Sequence, residues 1–157
     1  MPEIYEAKLI ALGLELPPAP QPVANYVPTL ISGDLLFISG QVSKDATGHV
    51  IAGHVGIACG GITVEQGAQA AKLCALNVLS QAKAALGSLD RIEQVLRLTG
   101  FVASHADFRD QPMVINGASD LMVAVLGDRG RHTRSAVGVA SLPMGAAVEI
   151  DAIIKVR

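Results

Sequence analysis

The sequence is poor in aromatic residues and in charge. It has no Trp, two Tyr and three Phe among 157 residues, and only 17% of its residues are charged. Hydrophobic residues make up 50% of the chain, and the mean hydropathy is +0.43. A chain this apolar is not intrinsically disordered. Its length suits one domain, residues 1–157, that buries roughly 70% of its unfolded surface.

Membrane, export and nucleic-acid signals are also missing. No apolar run is long enough to cross a bilayer. The N-terminal segment MPEIYEAKLI carries acidic residues where a signal peptide needs a basic region. The chain has two cysteines, Cys59 and Cys74, and no export signal, so we expect reduced thiols and a cytoplasmic protein. A net charge of −2 and a pI near 6.0 give no electrostatic reason to bind nucleic acid.

Motifs for metals, nucleotides and cysteine nucleophiles do not occur. The histidines and cysteines fall at no paired ligand spacing, and there is no HExxH or CxxC motif. No glycine pattern of a dinucleotide-binding turn or a P-loop is present. Neither cysteine has a neighbouring base that would activate it. We therefore predict that no metal or other cofactor is needed. The histidines are His49, His54, His105 and His132.

Proline, glycine and capping signals divide the chain into elements. Pro2 and Gly13 bracket a short helix, and the four prolines of Leu14–Pro22 predict an extended connector, so residues 1–22 form an N-terminal segment. Thr63 and Gln66 form a capping-box pattern ahead of a helix that ends at Gly87. The second long helix is predicted at Pro112–Leu126, and the strands at Tyr26–Ile31, Leu35–Ser39, Ile92–Val102, Ser135–Leu142 and Ala147–Val156.

The order of these elements is β-β-α-β-α-β-β after the short helix. This order predicts an α+β fold, in which both long helices pack on one face of the sheet. The many small and β-branched apolar residues exceed what a monomer of this size readily covers. An oligomer that buries part of them is therefore expected.

Two charged residues in apolar strands are candidates for chemistry. Arg134 lies where a glycine-rich turn enters a strand, and its planar guanidinium could hold a carboxylate by two parallel bonds. Glu149 lies in the apolar run AAVEIDAII, with Asp151 on the same strand face. Charges in such a run are costly to bury unless they are paired or used. The alternative is a structural ion pair between strands or subunits.

The segment TRSAVGVASLPMGAAVEIDAI, residues 133–153, resembles the C-terminal signature of the reactive intermediate deaminase family, also called the Rid or YjgF family, whose members carry the older name endoribonuclease L-PSP. The shared pattern is an Arg between small residues, an apolar strand, Leu-Pro, and a Glu inside an apolar strand. Asn25-Tyr26 ahead of Ser39-Gly40-Gln41, and Asn116 in VING, resemble two further motifs of the family. His132 stands where the family usually has Pro or Ala.

The resemblance implies a chorismate-mutase-like domain at residues 23–157 that assembles as a homotrimeric barrel, with a pocket at each subunit interface. It implies hydrolysis of enamine and imine intermediates, such as 2-aminoacrylate, to a 2-keto acid and ammonia. Arg134 would hold the substrate carboxylate, and Glu149 would orient or activate the attacking water. An imine carbon is already electrophilic, so such a site needs orientation and a proton path rather than a metal. The other implied substrate-binding residues are Tyr26, Ser39, Gly40, Asn116 and Ala136.

Two departures from the family pattern keep other functions open. The second helix, NGASDLMVAVLG, lacks the usual aromatics, and Ala136 stands where the family often has Cys. One alternative is a trimeric protein that binds a small carboxylate without turnover, or a holdase-like protein. A ribonuclease is less favoured, because the chain is acidic and RNA cleavage needs phosphate contacts.

Overall fold

The computed structural model describes residues 3–56 and 60–157, so Pro2 and Cys59 lie outside the described residues. The helices of this part are Ile4–Ala11 (α1), Val64–Leu86 (α2) and Gln111–Leu126 (α3). The strands are Thr29–Ser32 (β1), Leu35–Val42 (β2), Ile92–Ala103 (β3), Thr133–Val139 (β4) and Val148–Val156 (β5). Short 3-10 turns lie at Leu89–Arg91, Gly127–Gly130 and Pro143–Gly145.

The strands form one sheet in the order β1-β2-β5-β3-β4. All neighbours are antiparallel except β3 and β4, which run parallel. The last strand of the chain is therefore the centre of the sheet, and β4 is an edge. The element order is the predicted β-β-α-β-α-β-β, and the predicted α+β fold class is confirmed.

Both long helices cover the same side of the sheet. Along β5, alternate side chains are at most 2% exposed and point toward the helices: Val148, Ile150, Ala152 and Ile154. The side chains between them are partly exposed: Glu149, Asp151, Ile153 and Lys155. We call this uncovered side of the sheet the open face. Since side chains alternate along a strand, each strand has one set in the core and one on the open face.

Local signals explain where the helices begin. The Thr63 hydroxyl accepts from the Gln66 amide at 3.1 Å, and the Gln66 side chain accepts from the Thr63 amide at 2.8 Å, so the predicted capping box is present. At the N-terminus, the amides of Ile4 and Tyr5 donate to the Asp90 carboxylate at 3.0 and 3.2 Å. These bonds attach α1 to the turn that follows α2.

Two of the predicted strands had wrong boundaries. The strand predicted at Tyr26–Ile31 begins only at Thr29, because Pro28 has no N–H to donate to a ladder. The strand predicted at Ser135–Leu142 spans Thr133–Val139 instead. It starts earlier because Thr133 pairs with β3, and it ends before the Pro143–Gly145 turn.

The described part of the chain shows no helix that is long and apolar enough to cross a membrane. Cys74 is a free thiol, fully buried in α2, and its Sγ–H donates to the Val148 carbonyl at 3.4 Å. Burial, and secondarily the charge of Glu149, raise the pKa of this thiol well above its usual range. Cys74 therefore stays protonated and lacks the thiolate of a nucleophile.

The helices α2 and α3 approach each other closely at Gly117. A Cβ built on Gly117 would overlap the carbonyl oxygen of Ala68 and lie 2.8 Å from the carbonyl carbon. The obstacle is backbone, so it cannot rotate away. This contact explains the glycine of the VING segment.

We expect Gly117→Ala to destabilise the fold. At an exposed helix position this substitution stabilises by up to about 1 kcal/mol. Here the overpacked contact should instead cost about 1–3 kcal/mol of unfolding free energy, measured by urea denaturation. The exposed Asp120→Ala in the same helix is the control and should change stability by about 0.5 kcal/mol or less. An equally or more stable Gly117→Ala protein would contradict the close approach.

Candidate functional site

A β-bulge in β2 is the centre of the candidate site. Ile38 pairs with Ala152 and Gln41 pairs with Ile150, so Ser39 and Gly40 together oppose the single residue between them on β5. Such a bulge bends the strand and changes the direction of its side chains. The predicted strand Leu35–Ser39 continues through the bulge as β2.

Gly40 leaves the space that the Glu149 carboxylate occupies. A Cβ built on Gly40 would overlap Oε1 of Glu149 and lie 2.9 Å from its Cδ. The backbone of Gly40 has no positive φ, so the close approach of the carboxylate, and not the backbone conformation, is what requires glycine here. The predicted residues Gly40 and Glu149 are therefore in direct contact.

An open cleft of about 1000 Å³ lies over this contact. Tyr26, Ser39, Gly40 and Glu149 line it together, as do apolar residues of β1 and β2. The Ser39 hydroxyl donates to the Val27 carbonyl at 2.9 Å, which attaches the Tyr26–Val27 segment to the bulge. Tyr26 itself is 53% exposed at the cleft. The structure thus brings four of the predicted site residues to one place.

The environment of the cleft makes Glu149 harder to ionise than an exposed carboxyl. Partial burial, and after it the charge of Asp151 on the same face, raise the pKa of the Glu149 carboxyl. Among the described residues no ion pair joins Glu149 to a cation. A carboxyl in this setting exchanges a proton more readily near neutral pH than an exposed one.

Arg134 lies on the opposite side of the sheet from Glu149. It pairs with Leu98, which is fully buried under the helices, whereas Glu149 pairs with Phe101. The Arg134 guanidinium donates to the Ser119 hydroxyl at 3.0 Å and to the Pro112 carbonyl at 3.3 Å. Within one chain, Arg134 and Glu149 therefore belong to separate clusters, and no ion pair links them among the described residues.

The two remaining predicted residues lie away from the cleft. Ala136 follows Arg134 on the helix side of β4 and packs against the core. Asn116 lines a groove between α2 and α3, together with Gln69 and Lys72. The structure brings neither residue to Glu149 within one chain.

Ser119 and His132 lie beside Arg134 and were not predicted as site residues. Ser119 Oγ lies 2.9 Å from His132 Nε2, and His132 Nδ1 lies 2.6 Å from the Gly130 carbonyl oxygen. Burial lowers the pKa of His132, the Gly130 carbonyl partly opposes this, and the Arg134 charge lowers it further. The unusual His132 was the only signal in the sequence, since no spacing connects Ser119 to it.

The described residues, 3–56 and 60–157, contain no group of three or more His, Cys, Asp or Glu side chains placed to hold a metal ion. The chemistry available to the cleft is that of two carboxyls, an amide, a phenol, a hydroxyl and backbone groups. These groups can orient a polar ligand and move a proton.

Comparison with known proteins places this fold and cleft in a family. The model of the family described as "YjgF/chorismate_mutase-like, putative endoribonuclease" matches residues 6–152. Protein TCP17 of Trypanosoma cruzi is 48% identical over 152 residues, covering 96% of this chain and 93% of TCP17. The crystal structure of Atu1372 from Agrobacterium tumefaciens is 49% identical, with a TM-score of 0.90 over 98% of this chain and 93% of Atu1372.

The chain belongs to the YjgF/chorismate mutase-like family. The resemblance read from the sequence motifs is thereby confirmed. A more distant member, TdcF of E. coli, has been solved with bound serine. It is 27% identical, with a TM-score of 0.64 over 88% of this chain and 93% of TdcF.

We expect Glu149→Gln to stabilise the protein more at neutral than at acid pH. The folded pKa of Glu149 is raised, so its ionisation works against the fold. The stability that the neutral Glu149 carboxyl gives the folded protein is present at pH values below the pKa of Glu149 in the unfolded state. It is lost as the pH rises through the pKa of Glu149 in the folded state. The difference in Tm between Glu149→Gln and wild type should therefore grow between about pH 4 and about pH 8.

The exposed Glu15→Gln provides the control for this measurement. Its Tm difference from wild type should change little over the same pH range, because an exposed carboxyl loses little solvation on folding. A Glu149→Gln protein whose Tm difference does not grow with pH would contradict the raised pKa.

Proposed function

We propose that the protein hydrolyses small enamine or imine acids to 2-keto acids and ammonia, at a site completed by two copies of the chain. The observation that carries this proposal is the bulge at Gly40, which makes room for a half-buried carboxylate in an open cleft. The family resemblance implies the same chemistry. The proposed site residues are Arg134 and Glu149, with Tyr26, Ser39, Gly40, Asn116 and Ala136 around the substrate.

Glu149 supplies the proton path of the reaction. Its carboxylate accepts a proton from water while the water oxygen bonds to the carbon of the protonated imine, and the C=N electrons move to nitrogen. The protonated Glu149 then donates to that nitrogen. The C–N bond breaks and ammonia leaves. As the keto carbonyl forms, the hydroxyl passes its proton to the Glu149 carboxylate, which then releases it to solvent. A carboxyl with a raised pKa suits both steps near neutral pH.

Arg134 holds the carboxylate of the substrate in this proposal. Its guanidinium has more N–H donors than its bonds to Ser119 and Pro112 use. The remaining donors can bind a carboxylate through two parallel bonds. The serine bound to TdcF is also a small carboxylate, which supports this class of ligand.

A second copy of the chain would bring the Arg134 cluster of one copy next to the Glu149 cluster of another. Arg134 is on the edge strand β4, and the open face carries large exposed apolar side chains: Leu30 at 59%, Val137 at 43% and Phe37 at 38% exposure. An apolar sheet face of this kind is suited to cover by another protein surface. We place the β4 edge of one copy beside the Glu149 cleft of its neighbour, in a homotrimer.

Binding without turnover is the second candidate function. Its support is that α3 has no aromatic side chain after Asn116 and that the cleft is wide and open. A small carboxylate held there would keep much of its hydration. RNA cleavage has less support, because RNA needs several phosphate contacts and the cleft is lined by Glu149 and Asp151, whereas a single carboxylate needs only Arg134.

We expect Arg134→Lys to lose about 30- to 1,000-fold in kcat/KM, because an ammonium cannot reproduce the two-bond geometry. The substrate is the imine acid that an L-amino-acid oxidase generates from leucine, and ammonia release is followed. Oligomer mass by sedimentation is measured on the same samples and should remain that of a trimer. Wild-type kcat/KM in Arg134→Lys would contradict carboxylate binding, and a wild-type protein that binds 2-keto acids without releasing ammonia would indicate the second candidate function.

We also expect Gly40→Ala to fold normally and yet lose about 10-fold or more in kcat, since the new methyl displaces the Glu149 carboxylate by rotating a flexible side chain. The matched control is the same change in a Glu149→Gln background. With the carboxylate already absent, Gly40→Ala should cost little more there, because residues in contact are non-additive. Independent, multiplicative losses would argue against the contact.

A further inference from the structure

A chain of hydrogen bonds connects the backbone before β4 to the Arg134 guanidinium. His132 Nδ1 lies 2.6 Å from the Gly130 carbonyl oxygen, and His132 Nε2 lies 2.9 Å from Ser119 Oγ. Ser119 Oγ then accepts from Arg134 Nη1 at 3.0 Å. The chain of bonds joins helix α3, the 3-10 turn that follows it and strand β4, which are consecutive in the sequence.

The chemistry of the partners determines where the protons are. A carbonyl oxygen only accepts, so His132 Nδ1 must donate to Gly130. In the neutral imidazole, Nε2 is then an acceptor, and the Ser119 hydroxyl donates to it. This leaves the lone pairs of Ser119 directed to Arg134. The direction of each hydrogen bond thus follows from the direction of the one before it.

We propose that Ser119 and His132 are positioning residues for Arg134, which hold its guanidinium ready for a carboxylate as long as His132 is neutral. The inference rests on the proposed function, because the carboxylate belongs to that site. Arginine has many rotamers, and a guanidinium already fixed by Ser119 and the Pro112 carbonyl loses less freedom on binding a ligand.

The surroundings of His132 keep it neutral. Burial disfavours the imidazolium, and the Arg134 charge adds to this, so the pKa of His132 is lowered. The charged groups on the elements around it are Arg134 on β4, Asp128, Arg129 and Arg131 in and just after the preceding turn, Asp120 on α3, and Glu93 and Arg97 on β3. Of these, Arg131 pairs with Asp128 at 3.2 Å, with their side chains 70% and 99% exposed, so this pair is largely screened by solvent.

Protonation of His132 would disrupt the arrangement. An imidazolium must donate through Nε2, so Ser119 would lose its acceptor and would face two cations. Arg134 would then be held less firmly. We therefore expect carboxylate binding to weaken as pH falls through the pKa of His132, while the chemical step at Glu149 has its own pH dependence.

The first test separates KM from kcat. Ser119→Ala should raise KM for the leucine-derived imine acid about 3- to 10-fold, with kcat changed by about 2-fold or less. The control is Ser80→Ala, a serine of α2 whose hydroxyl donates to the Leu76 carbonyl of its own helix. It should leave both constants unchanged. A Ser119→Ala protein with wild-type KM, or a loss confined to kcat, would overturn the proposal.

The second test uses the pH profile. The KM of the wild type should rise on acidification below about pH 6.5, whereas His132→Gln, whose side-chain oxygen can accept from Ser119 without titrating, should remove this rise. An unchanged acid limb in His132→Gln would overturn the proposal. So would a burst of p-nitrophenol from p-nitrophenyl acetate that Ser119→Ala abolishes, because Ser119 would then be a nucleophile activated by His132.

The third test does not depend on turnover. The pKa of His132 is followed by NMR, with the His132→Gln spectrum assigning the resonance. In Arg134→Gln the pKa should rise toward its ordinary value, because the neighbouring cation is removed. An inactive wild type with this rise would refute the proposed function and leave the coupling of His132 to Arg134 supported. An active wild type without it would refute the positioning role alone.

Discussion

Because α2 and α3 both pack on one side of the sheet, each strand side chain lies either in the core or on the open face. Along β5 this packing places Val148, Ile150 and Ala152 in the core and leaves Glu149 and Asp151 between them on the open face. Because none of the described residues forms a second layer on the open face, these carboxylates are only partly buried. The raised pKa of Glu149 follows from that intermediate position, as does the exposure of apolar side chains that another copy could cover.

Much of this architecture could be predicted because its signals are local. The capping box at Thr63 and the glycine at position 87 determine the ends of α2, and both depend on neighbours within a few residues. Strand ends depend instead on partners distant in sequence. Thr133 belongs to β4 because β3 lies beside it, and Tyr26 is outside β1 although its residue type favours strands.

The same distinction between local signals and contacts distant in sequence applies to the candidate site. The motif around Ser39 and Gly40 and the one around Glu149 meet because β2 and β5 are neighbours in the sheet. The motifs do not say which face of β4 carries Arg134, because alternation relates residues only within one strand. Ser119 could not be found at all, since its contact with His132 arises from the packing of α3 on β4.

Two features of the molecule work against its own stability, and they lie at the two halves of the proposed site. The half-buried Glu149 ionises against the fold, in space that is free only because residue 40 is a glycine. On the other side of the sheet, His132 is partly buried next to the positive charge of Arg134. A chain optimised for stability alone would pair or remove such groups. The proposed function gives both groups a use, at a site where we propose that one copy's edge strand meets another copy's cleft.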